Sequence, residues 1–155
     1  MARNTLTQRT SGPRSTFEVT VDCAQLQSGD RAGLCALQGS YAAILVCKDA
    51  EGFRLTLEER NLGEGRKYAV SEQSIAMEGP SVRLRAAFDY DNLKDVVTFF
   101  YEKGGQWVQL GGEHKLRYTL DHFMGCRIGL CCYNMTQDSC GKATFCDFTY
   151  DPMDD

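Results

Sequence analysis

The stretch "SVRLRAAFDYD", residues 81–91, decides the fold. Val82, Leu84, Ala86 and Phe88 are apolar, and Arg83 and Arg85 lie between them. A period of two belongs to a strand with one face in a core and the other toward water. Working outward, "FEVTVDC" (17–23) repeats the pattern, with Phe17, Val19, Val21 and Cys23 on one face and Glu18, Thr20 and Asp22 on the other. "FRLTLEER" (53–60) places Phe53, Leu55 and Leu57 inward, and "ATFCDFTYD" (143–151) closes the chain in the same style. Between these runs stand turn signals: "QSGD", "DAEG", "LGEG", "MEGP", "YDN", "KGG" and "LGG". Their spacing, roughly 8–14 residues, is that of an all-β sandwich. No segment carries a sustained helical period. The expectation is one all-β module over residues 1–155, an antiparallel β-sandwich of jelly-roll type.

Two runs break the one-sided pattern. "VVTFFYEKGGQWVQLGG" (96–112) reads as a hairpin turning at Lys103-Gly104-Gly105, where glycine supplies positive φ. Its first strand has Val97, Phe99 and Tyr101 on one face and Val96, Thr98 and Phe100 on the other, so both faces are apolar. Such a strand is either central and covered twice, or meets a partner or ligand. In "RIGLCCYNM" (127–135), Ile128, Leu130 and Cys132 share one face, while Arg127, Gly129, Cys131 and Tyr133 share the other. A glycine inside a strand, here Gly129, points to close approach by another group.

Composition narrows the function classes. The chain has 155 residues, 43% hydrophobic and 25% charged, with formal net charge −4, which disfavours a nucleic-acid partner. No apolar run approaches the roughly 18 residues of a membrane span, and "MARNTLTQRT" contains no apolar leader core. Eight cysteines, with no C-x-x-C and only two histidines, argue against a zinc site. Several occupy strand positions suited to small apolar residues. They read as buried free thiols of a reducing compartment, with a disulfide framework as the alternative; the cytoplasm is favoured and an extracellular setting stays open.

Five segments carry a resemblance: "ARNTLTQRTSGP" (2–13), "GDRAGLCALQGSYA" (29–42), "VRLRAAFDYD" (82–91), "RYTLDHFMGCRIGL" (117–130) and "CDFTYD" (146–151). Together they resemble the C-terminal β-sandwich of family 43 glycoside hydrolases of the β-xylosidase and α-arabinofuranosidase type. The resemblance implies a lectin-like, concanavalin A-like sandwich that follows a five-bladed catalytic propeller. It implies that the first strand or strands of the sandwich precede the segment at which this chain starts, leaving an open sheet edge suited to strand addition or a homodimer. It further implies that the loop matching "DHFMG" reaches the propeller, with Phe123 walling the substrate pocket and His122 near sugar hydroxyls. Met124 stands where the family often has Thr, and Cys126, Cys131 and Cys132 stand where it often has aromatics.

Other candidate ligand residues come from the chemistry of sugar binding, which needs aromatic faces and polar groups. Trp107 follows the "KGG" turn, Tyr41 opens a strand after "LQGS", and Arg127 follows the "DHFMG" loop. Glycoside hydrolysis needs two carboxyls across one pocket. Asp89 and Asp91 are the nearest pair, and "FDYDN" reads more simply as turn chemistry. The chain is therefore expected to be an accessory module rather than an enzyme, with no required cofactor. Asp147, with Glu18, is the candidate for a structural calcium. The expected partners are plant cell-wall polysaccharide or xylo-oligosaccharide and a family 43 propeller. The expected roles are pocket completion, polysaccharide binding, or a structural or oligomerisation function alone.

Overall fold

In the computed structural model, the described residues are 4–62, 68–117, 125–136 and 141–153. They form eleven strands in two sheets. Sheet A runs β1 (Thr5–Arg9), β10 (Arg127–Asn134), β3 (Asp30–Leu37), β4 (Tyr41–Lys48), β5 (Phe53–Leu62), β6 (Tyr68–Ala76). Sheet B runs β11 (Lys142–Met153), β2 (Arg14–Gln25), β7 (Ser81–Asp89), β8 (Val96–Lys103), β9 (Gln106–Lys115). Every neighbouring pair is antiparallel. The architecture is the two-sheet antiparallel β-sandwich expected from the alternation. Among the described residues, no helix is long and apolar enough to cross a membrane.

The inward residues read from the sequence build the core. Phe17, Val19, Val21 and Cys23 of β2 and Leu84, Ala86 and Phe88 of β7 pack against Leu34, Ile44, Val46, Leu55 and Leu57 of sheet A. Phe17 and Phe88 meet edge to face, centroids 5.7 Å apart, the arrangement ring quadrupoles favour. Each large side chain so buried contributes about 1.5–3 kcal/mol. The β8–β9 hairpin turns on Gly104 (φ 59°) and Gly105 (φ 76°), with Lys103 paired to Gln106. Two positive φ values make a turn whose twist matches the strands, and glycine takes them without penalty. The two-faced run is the second strand from an edge. Val97 and Phe99 enter the core, while Val96 is buried and Phe100 half-buried on the outer face.

One stretch departs from strict alternation. In β11, Asp147 and Phe148 together stand opposite Val19 of β2, between the pairs Cys146–Thr20 and Thr149–Glu18. The extra residue is a β-bulge, and Asp147 takes φ 53°. It reverses the parity of the strand. Phe145 packs on the core before it, and Tyr150 stacks on Phe17 after it, centroids 4.7 Å apart. Without the bulge those two rings would lie on opposite faces.

Candidate functional site

The outer face of sheet A holds Tyr41 and Arg127, in the same cross-strand row through Leu37. This face is not an ordinary solvated one. Cys35, Ala43, Leu45 and Cys131 form a second buried cluster there, with Leu37, Cys47 and Tyr133 packed around it. Small residues let the strands lie close: a Cβ on Gly129 would stand 2.9 Å from the Cys35 sulfur, so the close approach expected of Gly129 is present. A polar layer sits over this floor. Arg31 Nη1 donates to Glu58 and to Glu72, each at 2.7 Å, and Tyr41 donates its hydroxyl proton to Glu58. Glu58 is only 7% exposed, and these partners offset the water its carboxylate has lost. Burial, and then the hydrogen bond to Glu58, pushes the Tyr41 phenol up to about 12. Arg127 donates to Thr7 Oγ1 at 3.2 Å.

The sequence reading singled out Tyr41 but missed Arg31, Glu58 and Glu72. They lie on β3, β5 and β6, and only the strand order brings them together. Glu58 has a local signal, as the outward residue following Leu57, but nothing local names its partner.

The outer face of sheet B holds Glu18 and Trp107. Arg83 Nη2 donates to Glu18 Oε2 at 2.7 Å, and Arg85 Nε donates to Glu18 Oε1 at 2.8 Å. The Arg85 guanidinium then lies 4.0 Å from the centre of the Trp107 ring, a cation–π contact. Trp107 is half-buried on this outer face rather than at the edge of the core. Both Glu18 oxygens face arginines, and Asp147 is exposed at the bulge. Among the described residues, no three Asp, Glu, His or Cys side chains gather to hold a metal.

Asp89 and Asp91 behave as turn residues. Asp89 Oδ1 accepts from the Asp91 backbone N–H at 3.1 Å, and both carboxylates pair with Arg14. His114, a residue the sequence reading did not single out, is buried, with Nδ1 3.0 Å from Glu59 Oε1, tying β9 to β5. Phe123 and His122 lie outside the described residues. The seven described cysteines are free thiols, and burial pushes Cys23 and Cys126 up to about 12. The hydrogen bond with Cys35, and then burial, holds Cys131 well above its ordinary value. Cys23, Cys126 and Cys131, buried and held protonated, are packing thiols rather than nucleophiles.

The model of the β-xylosidase C-terminal concanavalin A-like domain matches residues 1–151. A bifunctional GH43-CE protein of Bacteroides eggerthii is 31% identical with TM-score 0.84, over 98% of this chain and 20% of its own. A GH43 glycoside hydrolase engineered to display endo-xylanase and exo-arabinofuranosidase activity is 24% identical with TM-score 0.79, over 97% of this chain and 31% of its own. The xylan β-1,4-xylosidase of Bacillus halodurans is 18% identical with TM-score 0.65, over 93% and 28%. The last two likenesses speak for the fold alone. The chain thus spans a fifth to a third of these relatives' length. No curated protein matches.

Proposed function

We propose a function from one premise: the chain belongs to the family of β-xylosidase C-terminal concanavalin A-like domains, the non-catalytic C-terminal module of GH43 proteins. Its role is that of an accessory module in xylan breakdown. It packs against a catalytic propeller and contributes Phe123 to the rim of the substrate pocket. One observation favours this over free-standing polysaccharide binding. Two of the rings the sequence offers for sugar stacking have partners within the module: Arg85 lies on Trp107, and the Tyr41 hydroxyl is bound to Glu58. A sugar would have to displace a guanidinium held by Glu18 in order to stack on Trp107. Sugar contact therefore falls to a residue that acts in company with a second domain.

Kinetics of the joined enzyme test the reading. With module and propeller in one polypeptide, Phe123→Ala is expected to lower turnover on xylo-oligosaccharides at least several-fold, with the melting temperature unchanged. Unchanged kinetics would refute the pocket-rim role and leave a structural one.

A further inference from the structure

We propose that the loop joining β7 to β8 is a docking loop, with Leu93 the apolar anchor by which the module holds its propeller; this rests on the packing proposed above. Leu93 is 84% exposed, the most exposed of the large apolar side chains among the described residues. Its backbone also lies in the left-handed region, at φ 62°, with Asn92 at 49° and Asp95 at 42°. Asparagine and aspartate tolerate such angles, whereas a bulky leucine is an outlier there.

The bonds of the loop account for its backbone. Lys115 Nζ, at the end of β9, donates to the carbonyl oxygens of Leu93 and Lys94. Leu116 N donates to Asp95 O at 2.8 Å. Three successive carbonyls thus bind the end of β9. Lys94 Nζ pairs with Asp89 at 3.3 Å and with Glu113 at 2.8 Å, which pins the loop from its other side. None of these contacts uses the Leu93 side chain. Glycine or asparagine would present the same carbonyl without the steric cost. Leucine is held at this tip against both its backbone and water, the kind of strain that gathers at functional positions. The pinned backbone also means that little freedom is lost when a partner covers the tip.

The place of the loop names the partner. The segment that carries Phe123 leaves β9 through Leu116 and enters β10 through Cys126. Both roots are tied to this loop. Asp95 holds Leu116, as described. Cys126 O accepts from Thr10 Oγ1 at 3.1 Å, and Thr10 Oγ1 shares a hydrogen bond of 2.6 Å with the Tyr90 hydroxyl. A propeller reached by Phe123 therefore stands at the end of the sandwich where Leu93 projects. Asn92 and Lys94, both exposed, flank the leucine, so the contact has an apolar centre and a polar rim.

Calorimetric melting of the joined protein, propeller and module in one polypeptide, tests this beside the 155-residue chain alone. Leu93→Asn suits the backbone, so the chain alone is expected to melt at the same temperature or higher. In the joined protein the same change is expected to lower the module's transition by about 4 °C or more. Leu93→Gly carries the same expectation and covers the case in which Leu93→Asn does not fold. Met135→Asn removes another exposed apolar side chain, beyond Asn134 at the opposite end of β10, and is expected to move neither melt. One result overturns this inference alone: an unaltered module that melts higher joined than alone, with Leu93→Asn leaving the joined melt unchanged. A module that melts alike joined and alone overturns the packing reading with it. An equal loss from Leu93→Asn in the chain alone, or from Met135→Asn in the joined protein, also overturns the inference.

Discussion

Glu58 and Glu18 hold corresponding positions on the two outer faces of the sandwich, each bound by arginine, and their surroundings differ. Glu58 lies over a buried floor of Cys35, Ala43, Leu45 and Cys131, and it binds Arg31 and Tyr41. Glu18, whose own side chain is 16% exposed, lies between Arg83 and Arg85, whose side chains keep about a third of their area in water. On sheet A the ion pair seals a second small core. On sheet B it orders a ladder that ends on Trp107. The same residue types are structural in one place and nearly optional in the other, because desolvation decides what a charge pair contributes.

Glu58→Ala is expected to have the largest effect. It leaves Arg31 with Glu72 alone and the Tyr41 hydroxyl unpaired, and costs about 3 kcal/mol in urea unfolding. A loss below about 1 kcal/mol would erase the contrast between the faces. Gly33→Ala follows. Its Cβ would stand 2.1 Å from the Ile44 carbonyl oxygen, backbone that no rotamer can move. The expected loss is about 1–3 kcal/mol, and a thermal melt equal to the parent's would show that sheet A is looser than described. Glu18→Ala is expected to cost about 1 kcal/mol or less, since both arginines return to water. A larger loss would make the two faces alike.

The smallest effect is a pH slope. The Tyr41 phenol rises from its ordinary 10.0 to about 12, so between those values the unfolded chain releases a proton that the folded chain keeps. The unfolded state then binds fewer protons, and stability falls as pH rises. Unfolding curves between pH 9 and 11.5 are expected to show this fall, to which the buried thiols Cys23 and Cys126 add, and Tyr41→Phe is expected to make it shallower without removing it. An equal slope in Tyr41→Phe would place the titration elsewhere.

Much of the fold was legible because alternation is local. Val82 to Phe88 and Phe17 to Cys23 named their own core face, and two adjacent glycines named the β8–β9 turn. The bulge at Asp147 was not legible, since an inserted residue shows only against its partner strand. For the same reason the Arg31–Glu58–Glu72 set went unseen: its members stand 27 and 14 residues apart along the chain, and the strand order β3-β4-β5-β6 assembles them. The ring of Trp107 was visible as a candidate, but its cover by Arg85 depends on a second strand two places away. The family was legible from short motifs because these record a shared chain rather than a shared physics.

The central claim is that this module serves a catalytic partner and does not hold xylan by itself. Isothermal titration calorimetry of the 155-residue chain with xylohexaose tests it most directly. The account predicts no saturable heat up to millimolar ligand, weaker than about −4 kcal/mol of binding free energy. A saturable isotherm with a micromolar dissociation constant, abolished by Trp107→Ala, would contradict it.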